Sequence, residues 1–315
     1  MWAYYINLTQ AWARRDALDA NFSHHSPPGW ALERVPAVSA QEVQAQAVPG
    51  RISWVEKACY LSHAQALAQA CTHAGHAYIL EDDAHFGPRS FQLLDRALVQ
   101  LEREGQAWDL LYTQVMPVCP EHMVELLRIR CECLTKQTFC VANTQNMILA
   151  GACSYVVNAA SKTRLLGVLQ GQSPIDMPVD GFYWRLAREG HVQARVVFPL
   201  ASSVSPEAAT SQIQSSTKAL ASHIWNIWMR FSAYDRDLDA IEASLLGLPP
   251  VHETPAQATA LLAGLQDLLD PQERRILHAL LSQVCAEGFR SLFTVLPEPQ
   301  AAPAAPHGAF LQCQP

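Results

Sequence analysis

Three consecutive carboxylates, Glu81, Asp82 and Asp83, follow directly on the apolar run His76-Ala77-Tyr78-Ile79-Leu80. Like charges set side by side repel, and the cost falls when a divalent cation and an anionic ligand occupy the space between them. Oxygen donors suit Mg²⁺ or Mn²⁺. Beside a nucleoside diphosphate such a cation would bridge carboxylate and phosphates and neutralise the charge that builds on a departing diphosphate. The same triplet could also be an acidic loop capping a strand end, so its meaning depends on its surroundings. Arg14 and Arg15 offer guanidinium forks that match phosphate oxygens, or they are solvated helix residues. His63, alone on a helical face, is a site residue or a satisfied structural histidine.

These side chains need a scaffold, and the hydrophobic periods supply one. Residues 3–8 read as a strand and residues 11–22 as a helix carrying both arginines. Residues 23–29 form a loop, 34–38 a second short strand and 39–50 a polar connection. Over residues 53–74 Ala58, Leu61, Ala64, Leu67, Ala68 and Cys71 recur along one helical face, and Gly75 ends that helix. The next strand, 76–80, stops at the acids. Open α/β sheets bind ligands beyond the carboxyl ends of their strands, which is where this triplet falls. Further elements are a helix at 89–104, strands at 108–113, 152–157 and 192–198, and helices at 159–169 and 179–189. Such alternation implies a mixed, mostly parallel, layered α/β sheet flanked by helices.

Residues 117–146 show no clean period and read as a partly irregular insertion. They hold Cys119, Cys131, Cys133 and Cys140, with His122 as an extra candidate ligand. The pair of C-x₂-C knuckles usual for structural zinc is missing, so buried thiols are preferred over a metal. After Tyr234 only helices are expected, at 238–246, 255–269 and 271–293, before an Ala/Pro-rich tail. The organisation is thus a catalytic α/β domain over 1–234, a helical extension over 235–295 and a flexible tail over 296–315.

Half of the 315 residues are hydrophobic and 16% are charged, the make-up of a globular enzyme. A formal net charge of -7 without a basic stripe excludes nucleic acid as the main partner. Met1 leads straight into the first strand with no signal-peptide pattern. The longest uncharged stretch, 137–161, is interrupted by polar residues and fails as a membrane span. Nine cysteines without regular spacing fit a reducing compartment. The reading is a soluble, cytoplasmic protein. The aromatic segment 224–231 could touch a membrane, but packing between the catalytic part and the helices is favoured. A lipid-linked acceptor would still allow peripheral contact at the inner membrane.

Five ordered blocks resemble glycosyltransferase family 25. They are Tyr5-Ile6-Asn7-Leu8 with Arg14-Arg15, Ala58-Cys59-Tyr60-Leu61-Ser62-His63, Ile79-Leu80-Glu81-Asp82-Asp83-Ala84-His85-Phe86, Gly151-Ala152-Cys153-Ser154-Tyr155-Val156-Val157, and Pro174-Ile175-Asp176-Met177-Pro178-Val179-Asp180. The resemblance covers residues 2–213. It implies a GT-A-type, Rossmann-like fold, a UDP-sugar donor with galactose foremost, Mn²⁺ or Mg²⁺, inversion at the anomeric carbon, and a lipopolysaccharide or lipooligosaccharide core as acceptor. By position it puts Asn7, Arg14 and Arg15 near the nucleotide, Ser62, His63 and Glu81 at the donor pocket, and Asp82 and Asp83 at the metal. Asp180 becomes the candidate base, since an inverting transfer needs a carboxylate to take the acceptor proton; a plain helix N-cap is its other reading. The family pattern has Gly-Cys where this chain has Ala58-Cys59. It has a Ser-Asp-Ile-like element where this chain has Ser211-Gln212-Ile213, which leaves a donor or metal role there without its acid.

Two rivals to an active transferase follow from the residues. One is a catalytically silent nucleotide-sugar-binding or assembly protein of the same fold, using the C-terminal helices as its contact surface. The other, a metal phosphohydrolase, lacks the histidine-aspartate spacing such sites use.

Overall fold

A computed structural model describes residues 1–136, 138–205, 219–251 and 253–286. In chain order the elements begin with β1 (Trp2–Asn7), α1 (Trp12–His25), β2 (Ala31–Pro36), α2 (Ala40–Ala45), α3 (Trp54–Ala70), β3 (Ala77–Glu81), β4 (Ala84–His85) and α4 (Ser90–Arg103). The middle of the chain holds β5 (Leu110–Tyr112), β6 (Met116–Pro117), α5 (Pro120–Thr135), β7 (Cys140–Asn143), β8 (Leu149–Ala150) and β9 (Ser154–Val157). Then come α6 (Lys162–Gln170), α7 (Val179–Arg188), β10 (Ala194–Phe198), β11 (Ser203–Val204), α8 (Ala219–Ser232), α9 (Leu238–Ser244), α10 (Ala256–Ala263) and α11 (Pro271–Val284).

Seven strands form one sheet in the order β2-β1-β3-β9-β5-β10-β7. β1 pairs in parallel with β2 and β3, and β5 with β10, while β9 and β7 run against their neighbours. The sheet is therefore the mixed, mostly parallel α/β type expected, flanked by helices, with one reversed strand at its centre. Ala3, Tyr4, Tyr5 and Ile6 are all buried, as a strand covered on both faces requires. Alternate residues feed two apolar clusters. Tyr4, Ile6, Ile79 and Tyr155 pack with α3, α6 and α7, whereas Tyr5, Tyr78, Leu80 and Val156 pack with α1 and α4.

The helix bearing the Cys-Ser-His element is sharply started. The Ser53 side chain accepts from the Glu56 backbone N–H, and the Glu56 carboxylate accepts from Ser53 N–H. Its inward residues Ala58, Ala64, Ala66 and Ala70 are small, so α3 lies close on the sheet.

The irregular insertion expected over residues 117–146 is instead a sixteen-residue helix, α5, followed by the edge strand β7. Its period was hidden by an inward arginine. Arg130 lies among Met123, Leu126, Leu127, Ile129 and Cys133, and its Nε and Nη2 donate to Ala233 O at 3.2 and 2.9 Å. Cys131 and Cys133 sit two residues apart on this helix and so diverge, and these two of the four thiols weighed as zinc ligands leave the helix on different faces. No disulfide joins the described cysteines.

Segment 224–231 lies inside α8, where Ile224, Ile227, Trp228 and Phe231 are nearly inaccessible, the arrangement a packed helix predicts. The helices after Tyr234 share one apolar cluster with α5 and α8, through Ile276, Leu277, Leu280 and Leu281. The expected 255–269 helix is shorter, as α10, and α11 starts at Pro271 as expected. Residues 287–315, with the proposed tail, and Ser211-Gln212-Ile213 lie outside the described residues. Among the described residues no helix is long and apolar enough to cross a membrane.

Candidate functional site

Because β9 is reversed, its beginning meets the end of β3, which in turn pairs with the end of β1. Ile6 is in register with Glu81, Leu80 with Ser154, and Glu81 N–H donates to Cys153 O at 2.7 Å. A cleft of about 250 Å³ opens there, lined by Arg14, Cys59, Ser62, His63, Glu81, Asp82 and Asp83 and closed on one side by residues 37–41. The sheet therefore brings six of the expected residues to one place.

The three acids have different surroundings. Asp82 Oδ2 accepts from Asn7 Nδ2 at 2.7 Å, and Asp82 Oδ1 is ion-paired with Arg14. Burial raises its pKa, against the pull of Arg14 and Asn7. Asp83 Oδ1 accepts from Cys153 Sγ at 2.9 Å, while Oδ2 lies 3.5 Å from Arg14. Burial and then the Glu81 charge push Asp83 up to about 6. Glu81 moves the other way: burial opposes its ionisation, but His63 beside it outweighs that and holds it below the usual range. Arg14 is held more firmly cationic than usual, the burial cost being exceeded by Asp83, Asp82 and Glu81. Its Nε is buried without a hydrogen-bond partner.

Asn7 is buried at the end of β1 and is itself clamped. Arg34, from β2, donates through Nε to Asn7 Oδ1 at 3.0 Å and through Nη2 to Asn7 O at 3.1 Å. Arg15 points elsewhere and pairs with the exposed Asp16, so of the two arginines only Arg14 faces the acids. Ser62 Oγ donates to Ala58 O at 2.7 Å and accepts from Val38 N–H at 2.9 Å, fixing the cleft wall rather than reaching into solvent. His63 is fully buried. Its Nδ1 is 3.0 Å from Tyr155 Oη and its Nε2 3.2 Å from Glu81 Oε1.

Asp180 stands apart. Pro178 occupies the cap of α7, so Asp180 is a first-turn residue rather than the N-cap. Its Oδ2 accepts from Gly151 N–H at 2.9 Å and its Oδ1 from Gly181 N–H at 2.8 Å. Gly151 is left-handed, φ 87°, a backbone form that favours glycine. Asp180 lines a small separate cavity with Tyr112, Thr144 and Trp184, yet it is near enough for its charge to add to the burial and the Glu81 charge that raise the Cys59 thiol.

The arrangement fits a hard cation and a diphosphate. Asp83 is a partly buried carboxylate crowded by a second negative charge, which a cation would relieve, and Arg14 has an unused buried N–H beside it. Asp82, with both oxygens engaged, is better placed to fix Arg14 than to give up its partners.

The profile of glycosyltransferase family 25, described as an LPS biosynthesis protein, matches residues 1–183. That is more than half of the chain and includes every candidate residue above, so the protein belongs to glycosyltransferase family 25. Its class is thus a sugar transferase of lipopolysaccharide biosynthesis. No curated protein matches the chain. The match ends within α7, short of β10, β11 and the C-terminal helices.

Arg34, Cys153 and Tyr155 were not among the expected site residues. Cys153 and Tyr155 were within reach of the sequence, because residues two apart at the head of a strand share a face with the triplet's neighbours. Arg34 gave no signal, since its role comes from the pairing of β2 with β1.

Proposed function

We propose that this protein is an inverting hexosyltransferase that moves a hexose, galactose in first place, from a UDP-sugar to a saccharide hydroxyl of a lipopolysaccharide or lipooligosaccharide core. The observation that carries the reading is the convergence of Arg14, Asp82 and Asp83 in one cleft beyond the end of β3. Asp83, with Asp82 behind it, would hold Mn²⁺ or Mg²⁺, which when bound neutralises charge on the leaving diphosphate. Arg14 meets the phosphates with its fork and stays cationic throughout. Asn7, clamped by Arg34, keeps Asp82 aimed at Arg14, while Ser62 and His63 shape the donor wall. Asp180, which lies beside the cleft with both oxygens on backbone N–H groups, is the proposed base and would exchange one of those bonds for the acceptor hydroxyl, taking the proton from the hydroxyl oxygen. That oxygen then bonds to the anomeric carbon from the face opposite UDP, and the carbon–oxygen electron pair leaves with the diphosphate.

Calorimetry of the purified full chain against a panel of nucleotide sugars tests this, first with Mn²⁺ and then with chelator. Binding of UDP-galactose that needs the cation, and is lost in Asp83→Ala, is expected. Equal binding with and without cation would sink the metal assignment, and preference for a non-uridine nucleotide would sink the donor.

A further inference from the structure

Cys59 and His63 lie four residues apart on α3, so their side chains leave the same face one turn apart. Glu81 meets them from the end of β3. His63 Nε2 is 3.2 Å and Cys59 Sγ 4.0 Å from Glu81 Oε1, and the three donor atoms all fall within 4.8 Å of one another. A tetrahedral zinc with bonds of about 2.0–2.3 Å sets its donors roughly 3.3–3.6 Å apart, so small side-chain shifts would close this set. Among the described residues this is the one His/Cys/Asp/Glu group with that closeness. The other ring nitrogen of His63 is already held by Tyr155 Oη at 3.0 Å, the outer contact that fixes a histidine ligand's orientation.

We propose that Cys59 Sγ, His63 Nε2 and Glu81 Oε1 form a three-donor site for a borderline-soft cation of the Zn²⁺ class, chemically distinct from the oxygen-only position at Asp83. Thiolate and imidazole select zinc or cobalt over Mg²⁺ and Mn²⁺. All three residues line the cleft, so the fourth coordination position opens to it and takes water or a ligand oxygen. On binding, the Cys59 thiol gives its proton to solvent as the sulfur–metal bond forms. In the cation-bound form the His63 ring proton is carried on Nδ1 and donated to Tyr155 Oη, so the proton that Nε2 shares with Glu81 in the free chain moves to Nδ1 and leaves the Nε2 lone pair for the cation. The proposal rests on this wall of the cleft alone and not on the donor assignment.

The test is anaerobic titration of the chelator-stripped full chain with Co²⁺, followed by absorbance. A thiolate-to-cobalt charge-transfer band that saturates at about one equivalent and is bleached by Zn²⁺ is expected. Cys59→Ser should abolish the band and His63→Gln should weaken Co²⁺ binding at least tenfold, while Cys153→Ser, which removes the other thiol at the acids, should keep the band. A wild-type chain without the band, or a band that survives in folded Cys59→Ser, would overturn the site. Should Cys59→Ser fail to fold, X-ray absorption of the wild-type zinc form decides: one sulfur near 2.3 Å with nitrogen and oxygen near 2.0 Å supports the site, and an all-oxygen shell overturns it.

Discussion

Asn7 Nδ2 donates to Asp82 Oδ2 at 2.7 Å, tying the end of β1 to the loop after β3. The bond is charge-assisted, buried, and backed by Arg34 on the far side of the amide. Asn7→Ala leaves both Asp82 and Arg34 short of a partner, and bonds to charged groups are worth about 1.5–3 kcal/mol each. The expected outcome is a loss of about 2–3 kcal/mol in urea unfolding, with weaker UDP-sugar binding. Asn7→Asp would cost more at pH 7 than at pH 4, because two ionised carboxylates cannot share that contact. Equal unfolding midpoints for wild type and Asn7→Ala would show that the clamp is dispensable.

Asp83 links the site to pH. Its folded-state pKa, near 6, lies above the ordinary aspartate value of about 3.9, so between these values the folded chain binds more protons than the unfolded one. Its contribution is fully present below about pH 4 and is lost as pH rises towards 6, leaving at neutral pH a charge whose desolvation Arg14 and Cys153 only partly offset. Glu81 titrates in the opposite sense, so the comparison of wild type with Asp83→Asn isolates Asp83. Asp83→Asn in chelator should be more stable than wild type at pH 7.5 by on the order of 1–3 kcal/mol, and indistinguishable from it near pH 4. Mn²⁺ should raise the wild-type melting temperature at pH 7.5 and leave the variant unmoved. A variant less stable than wild type at pH 7.5 would contradict the direction of the shift.

Asp180 tests the base assignment. Asparagine can still accept the Gly151 N–H and gives up only the bond from its neighbour Gly181, so Asp180→Asn should fold and bind UDP-sugar nearly as wild type does. It cannot take a proton, and turnover should fall about 10²–10⁴-fold. Transfer kinetics with calorimetry on the same preparation check this. Near-wild-type turnover would return Asp180 to a purely structural role, holding the Gly151 turn.

Much of this is legible in the amino-acid sequence. The triplet's place at the end of a strand followed from an apolar run stopping at acids, and the α3 face followed from its small-residue period. Arg14 and Arg15 could not be told apart, because adjacent helix residues differ by about 100° in direction and only the packing of α1 shows which one faces β3. α5 was missed because Arg130 sits where the period calls for an apolar residue, its burial compensated by Ala233 O from a distant part of the chain. The reversal of β9 was likewise silent, since strand direction is decided by connection and pairing rather than by composition. That reversal is what brings Cys153 to Asp83 and Tyr155 to His63.

The C-terminal helices offer the last test. Glu273 is ion-paired with Arg236, both side chains about nine-tenths buried, and its other carboxylate oxygen accepts from Asp270 N–H at 2.9 Å to close the α11 capping box. Removing one member of a buried pair strands the other, at about 3–5 kcal/mol. Glu273→Ala loses the pair and its half of the capping box, with Asp270 still accepting from the first-turn N–H groups, whereas Glu273→Gln keeps an acceptor for Asp270 N–H and should cost less. Because Ile276, Leu277, Leu280 and Leu281 share their cluster with Trp228 and Leu126, the loss should be felt by the whole chain. Scanning calorimetry should show one transition, lower in Glu273→Ala, with calorimetric and van't Hoff enthalpies in agreement. Two transitions, only the smaller of them shifted, would mean that the helices fold as a separate unit despite the shared core.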